Sequence, residues 1–246
     1  MARIKTLVFF AGLFIISLTC KAQQTNFLDH LRIGFGGGMN LANIKVLESY
    51  NVFEDLSGAE YQNSYSGMTS NFGNQYFVQV EWYNKFLVVS LKPGTYTFRF
   101  SKNNSVIFTE ETAEQSTPYL LRYLTVPLEV RYNVDLQRFR PYAGLTFAYS
   151  NMLGSNDPSN ESFIPTKLTA GAVAGTYIDL RYIILDLNVG YLSGLHNITS
   201  KSTRYETGNG ATFAQDDILL NNLQVSLSLL FSLQKQKRTG AVECYY

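Results

Sequence analysis

The chain has 246 residues, 46% of them hydrophobic and 14% aromatic, with 16% charged and a formal net charge of +1. That balance supplies no basic surface for nucleic acid. Its two cysteines are Cys20, inside an N-terminal leader, and Cys244 near the end. The mature chain therefore has neither an internal disulfide nor the ligands for a thiolate metal cluster.

Residues 1–22 read as a secretion signal. Arg3 and Lys5 precede an apolar run from Leu7 to Leu18, which is too short for the roughly 20 apolar residues of a membrane helix. Ala22 is the expected last residue before cleavage, with Cys20 as the small residue two places upstream. Lipidation at Cys20 is the alternative, although Ser17 and Thr19 are a poor setting for it. Loss of Arg3, Lys5 and Lys21 turns the small positive balance slightly negative.

Residues 23–233 alternate apolar and polar side chains in a series of aromatic-rich stretches. The first strand, 31–41, places Ile33, Phe35, Met39 and Leu41 on one face, with Arg32, Asn40 and glycines on the other. The second, 73–83, sets Val78, Val80 and Trp82 against Gln79 and Glu81. The third, 86–100, is interrupted at Pro93-Gly94, where a bulge or kink is expected because proline cannot donate to the ladder. Past that break Tyr96, Phe98 and Phe100 alternate with Thr97 and Arg99.

The fourth strand opposes Leu124, Val126, Leu128, Val130 and Tyr132 to Tyr123, Thr125, Glu129 and Arg131. The fifth, 140–152, opposes Ala143, Leu145, Phe147 and Tyr149 to Gly144, Thr146, Ala148 and Ser150. The sixth, 167–180, is too rich in Ala and Gly for its faces to be assigned. The seventh sets Ile183, Leu185, Leu187, Val189 and Tyr191 against Asp186, Asn188 and Gly190. The eighth sets Leu223, Val225, Leu227, Leu229 and Phe231 against Asn222, Gln224, Ser226, Ser228 and Ser232.

Alternation fits a soluble β-sandwich as well as a barrel, since both bury every second side chain. Strand length and turn rhythm separate them. Several stretches reach the roughly 9–11 residues that a tilted strand needs to cross a bilayer. Long turns (42–70, 101–118, 153–166, 196–217) alternate with short ones (84–85, 134–139, 181–182), as in an outer-membrane barrel with short periplasmic turns and long outer loops. Tyr76, Trp82, Tyr83, Phe86, Tyr132, Tyr142 and Tyr182 gather near strand ends, where amphipathic rings favour the membrane boundary. The predicted fold is all-β: an eight-stranded antiparallel up-and-down transmembrane β-barrel with both termini periplasmic. Its expected surroundings are outer-membrane lipid and the outer-membrane insertion machinery.

Several segments carry a resemblance. Gly38-Met39-Asn40-Leu41-Ala42-Asn43-Ile44 resembles the opening strand of the outer-membrane β-barrel ("porin family") proteins of Bacteroidota. The run from Tyr123 through Pro127 to Arg131-Tyr132 resembles that family's fourth strand, and Arg140-Pro141-Tyr142 with Gly144 its fifth. Gly194-Leu195-His196-Asn197-Ile198 sits where the family often has Gly-Leu-x-Asn. Within that family the chain is similar to barrels associated with type IX protein secretion. The resemblance implies secretion-system proteins as partners, met through the loops or the tail.

Inward charges are the first candidates for function: Arg32, Glu81, Arg99, Glu129, Arg131 and Asp186. They could form an ion-selecting constriction of a passive small-solute pore. The bland alternative is an internal salt-bridge network. It is favoured because eight strands leave room only for side chains, and unpaired charge there is costly. A third reading is a lipid-modifying enzyme at the outer rim. It would use His196 as general base among Ser193, Thr199 and Ser200, while His30 lies at the periplasmic end. No acid sits in a matching position, so the expectation is a non-enzymatic protein without cofactors. Asn103, Asn160 and Asn197 match a glycosylation pattern that chance supplies in Asn/Ser-rich loops. Residues 234–246 form a tail in which Lys235, Lys237, Arg238, Cys244, Tyr245 and Tyr246 are candidates for a periplasmic partner contact; the alternative is a frayed end.

Overall fold

The computed structural model describes residues 30–48, 60–84, 86–107, 112–136, 138–156, 162–180, 183–200, 206–208, 211–213 and 216–233. The leader and the tail, with Lys235, Lys237, Arg238, Cys244, Tyr245 and Tyr246, lie outside the described residues, as does Tyr182.

Eight strands close into one antiparallel ring. They are β1 (Leu31–Glu48), β2 (Phe72–Tyr83), β3 (Leu87–Leu91 continued by Gly94–Ile107) and β4 (Thr112–Asn133). The ring continues with β5 (Phe139–Ser155), β6 (Thr166–Asp179), β7 (Ile184–Gly194) and β8 (Asp217–Ser232). Each strand pairs with its neighbours in sequence, and β8 returns to pair with β1 from Arg32↔Ser232 to Glu48↔Asp217. The closing seam leaves no sheet edge, which a β-structure in lipid requires.

The predicted break in β3 occurs at Lys92-Pro93. There the ladder is carried across by Lys92 N–H donating to the Pro127 carbonyl (3.1 Å) and Val78 N–H donating to the Pro93 carbonyl (3.0 Å). Proline has no N–H to give, but its carbonyl still serves the neighbouring strand. At the β1–β8 seam Gly38 is forced by close approach: a Cβ there would stand 2.1 Å from the Val225 carbonyl oxygen. The alternating glycines of β1 thus let its backbone press against β8.

The faces follow the alternation. On β4, Leu124, Val126, Leu128, Val130 and Tyr132 are exposed on the outside of the ring, while Tyr123, Thr125, Glu129 and Arg131 are buried inside it. Leu145, Phe147 and Tyr149 on β5, Leu187, Val189 and Tyr191 on β7, and Val225, Leu227 and Phe231 on β8 extend the same outward apolar band. An exposed band of that kind is a lipid-facing surface. Among the described residues no helix is long and apolar enough to cross a membrane; the crossing elements are strands.

At the long-loop end the strands run further than the alternation indicates. β1 continues to Glu48, and the predicted turn 101–118 is largely ladder, from Ser101↔Pro118 to Ile107↔Thr112. A further short strand, Glu60–Tyr65, pairs with the outer end of β3. Another hairpin joins Glu206–Gly208 to Ala211–Phe213. The extensions of β3 and β4 are largely polar in sequence, so hydrogen bonding continues where the bilayer no longer imposes an apolar outer face.

Candidate functional site

The barrel interior has two storeys, and the lower one, nearer the termini, is built on charge. Alternation along β2 brings Gln79 and Glu81 inward, along β4 Glu129 and Arg131, and along β7 Asp186 and Asn188; Arg32, Lys92, Tyr142 and Tyr177 join them. Arg131 is the hub. Its Nε donates to Glu129 Oε2 at 2.8 Å, and its Nη1 donates to Glu81 Oε1 and to Asp186 Oδ2, both at 3.0 Å. A second guanidinium nitrogen also bonds Glu129, and Nη1 bonds the Tyr177 hydroxyl.

The carboxylates are held from other sides as well. Gln79 Nε2 donates to Glu81 at 2.6 Å and to Asp186 at 3.0 Å. Tyr177 donates its hydroxyl to Glu81 (2.8 Å), and Tyr142 donates its hydroxyl to Asp186 (2.6 Å). Lys92 Nζ lies 3.3 Å from Glu129 and 4.0 Å from Asp186. Arg32 approaches Glu81 at 3.9 Å and stacks 3.6 Å over the Tyr83 ring. Three cations, Arg32, Lys92 and Arg131, thus face three carboxylates, Glu81, Glu129 and Asp186, all buried. The network is electrically balanced. Buried ionised groups survive only with such pairing.

Two features make room for this packing. Gly144 stands opposite Arg131 in the β4–β5 register, where a Cβ would be 2.3 Å from the Val130 carbonyl oxygen and 2.8 Å from the Arg131 Cα. Gly175 makes room for Tyr142, because a Cβ there would be 2.5 Å from the tyrosine hydroxyl. The Tyr142 and Tyr177 rings meet at 4.9 Å, with Arg131 lying 4.6 Å over Tyr142.

The upper storey is apolar. Phe77, Tyr96, Phe98, Phe100, Leu121 and Tyr123 point inward and pack with Phe163, Ile198, Ile218 and Leu220 from the outer ends of the later strands and loops. Phe98 and Tyr123 meet edge-to-face at 5.9 Å, and Phe100 and Phe163 at 6.0 Å. Lys167 lies beneath them, its Nζ 3.8 Å over the Phe98 ring. Beyond the bilayer, the Tyr65 hydroxyl donates to Asp216 at 3.0 Å; burial, with Asp216 beside it, pushes that hydroxyl well above its ordinary pKa.

Most of the predicted inward charges come together: Arg32, Glu81, Glu129, Arg131 and Asp186 form one network. Arg99 does not belong to it. β3 keeps one parity through the break, so Val88, Ser90, Lys92, Tyr96, Phe98 and Phe100 all face inward, and Arg99 projects outward and is exposed. The aromatic face of outer β3 lines the interior rather than lipid. Tyr142 is likewise a lumen residue and not an interfacial one. Sequence reasoning missed Lys92, which shares parity with Ser90 and Val88 on the stretch before the break, whose faces were not assigned. It also missed Tyr177 and Lys167, on the strand whose small residues hide its faces.

The rim histidine has its ring nitrogens engaged by backbone. His196 Nδ1 lies 2.8 Å from the Asn197 carbonyl, and Nε2 accepts the Leu168 N–H at 3.1 Å. Ser193 donates its hydroxyl to Asn221 at 3.1 Å. Asn197 fastens the segment: its Oδ1 accepts the N–H groups of Thr199 (3.0 Å) and Ile218 (2.9 Å), and its Nδ2 donates to Asp217 (2.7 Å). Among the described residues no group of His, Cys, Asp and Glu could hold a metal ion.

A closed ring with an outward apolar band and an inward polar network is the architecture of an outer-membrane barrel. Residues 21–200 match the family model described as outer membrane protein beta-barrel domain. The chain belongs to that family. The match ends before β8, yet β8 completes the barrel of this family member through its pairings with β7 and β1. Among curated proteins, none matches the chain.

Proposed function

We propose that this outer-membrane barrel is a non-enzymatic, non-conducting protein with a structural or accessory role, of the PorT-like kind that serves type IX protein secretion in Bacteroidota. The observation that carries the reading is the filled lumen. Arg131 and its carboxylate partners hold the lower storey in neutral balance, and the aromatic cluster fills the upper one. Such an interior offers a solute no ready path, so the working surfaces are the outer loops and the periplasmic end. The backbone engagement of His196 supports the absence of rim catalysis. The chain's size and the resemblance of its Arg140-Pro141-Tyr142 strand support the secretion role. In this reading the short turns and both termini are periplasmic, and Lys235, Lys237, Arg238, Cys244, Tyr245 and Tyr246 contact a secretion-system partner.

Two measurements test this. Purified wild-type protein in a planar bilayer is expected to show little steady conductance; large, stable openings would favour a small-solute pore. A deletion strain is expected to retain type IX cargo inside the cell, and unimpaired export would remove the secretion assignment.

A further inference from the structure

The outward course of Arg99 leaves a feature that the filled lumen does not use. On β4 the lipid-facing row runs from Tyr132 to Leu124, and the next outward position toward the long loops is Arg122, which is exposed. On β3 the outward row changes from Leu87 and Leu91 to Thr95, Thr97 and Arg99, also exposed at its end. Thr97 pairs with Arg122, and Arg99 pairs with Leu120. The two arginines are therefore diagonal neighbours on one face of adjacent strands, a spacing of about 7–8 Å between backbones.

Neither arginine has an ion-pair partner among the described residues. The outward positions that flank them, Thr95, Thr97, Leu120 and Leu124, include no acid. Gly154 stands opposite Arg122 on β5, at a register shift, with open space where a Cβ would be. Two exposed arginines with no ion-pair partner among the described residues thus stand at the edge of the apolar band, on the long-loop side. Arginine binds phosphate in a bidentate manner that a lone interfacial cation gains little from otherwise.

We infer that Arg99 and Arg122 form a clamp for a phosphate group on an outer-leaflet lipid, whose acyl chains lie along Leu124 and Val126. Thr97, the register partner of Arg122, stands at the level of the headgroup. The inference rests on the long-loop end facing outward, and it is independent of conductance and of secretion.

The probe is bisphosphorylated lipid A added to the purified full-length barrel in detergent, with retention read by native mass spectrometry. Wild-type protein is expected to hold one lipid A, and the Arg99→Gln/Arg122→Gln protein to lose at least tenfold in affinity while keeping heat-modifiable migration. Arg99→Lys/Arg122→Lys is expected to fall between them, which ties the loss to charge and fork geometry rather than to folding. Dephosphorylated lipid A is expected to bind no better to wild type than to the double Gln variant. Equal retention by wild type and the double Gln variant would overturn the clamp. Competition by inorganic phosphate as effective as by lipid A would overturn the lipid as its ligand. Preference for phosphatidylglycerol over lipid A would overturn the outer-leaflet assignment. None of these outcomes depends on bilayer conductance or cargo export, so the clamp and the accessory role fail separately.

Discussion

Arg131 and Arg99 show how much a residue's worth depends on which side of the wall it faces. Arg131 bonds Glu81, Glu129 and Asp186 at once, so truncation leaves several carboxylates buried with less positive charge to answer them. Arg131→Ala is expected to cost about 3–5 kcal/mol, the usual penalty for breaking a buried pair by removing one partner. Arg99→Ala is expected to stay within about 0.5 kcal/mol, as for surface substitutions away from special features. Urea titration followed by heat-modifiable gel migration would compare them, and equal losses would contradict the inward–outward assignment. Both arginines were read from the sequence as inward, and the reason one was not is physical. The rule that the polar side chain of each pair faces the lumen holds only where the outside is hydrocarbon. Beyond Pro93 the outward face of β3 approaches the headgroups, so Arg99 can face out and Phe98 can face in.

The same change of solvent explains what was legible in the strands. On β4, β5, β7 and β8 the alternation gave the correct faces because one side meets lipid and the other a packed polar interior. On β6 the middle of the outward row is Ala170, Ala172 and Ala174, too small to mark a face, and the inward Lys167 and Tyr177 were therefore not recognised. The outer ladders of β3 and β4 were read as turns because polar strands leave no apolar period. Asn197 illustrates the outer elements. Its side chain satisfies the N–H groups of Thr199 and Ile218 and ties the segment after β7 to the start of β8. Asn197→Ala is expected to destabilise by about 1–3 kcal/mol, since it strips partners from buried donors. Hydrogen exchange should show the loss locally, with faster exchange at Thr199 and Ile218 and unchanged protection on β4. Unchanged exchange at those amides would mean that other contacts hold the segment.

For the whole molecule, the proposed role gives the work of a barrel filled at two levels to its ends. The short-turn end of the seam is finished at Leu233, whose N–H donates to the Leu31 carbonyl at 3.1 Å just past the Arg32↔Ser232 pair. Phe231 faces outward there, opposite Ile33 and 6.4 Å from the Phe35 ring, so the last aromatic of the ladder belongs to the lipid-facing band. Nothing after Leu233 is needed to close the described ring. Deletion of residues 236–246 is therefore expected to leave insertion and heat-modifiable migration intact, while Phe231→Ala, which weakens the band at the closing seam, is expected to impair insertion. If the tail is the periplasmic contact of an accessory barrel, the deletion also abolishes co-purification of the secretion partner and cargo export. Export and co-purification at wild-type levels would make the tail passive and move the contact to the outer loops. Failed insertion of the truncated protein would mean that the seam needs residues beyond Leu233, which its register with β1 argues against.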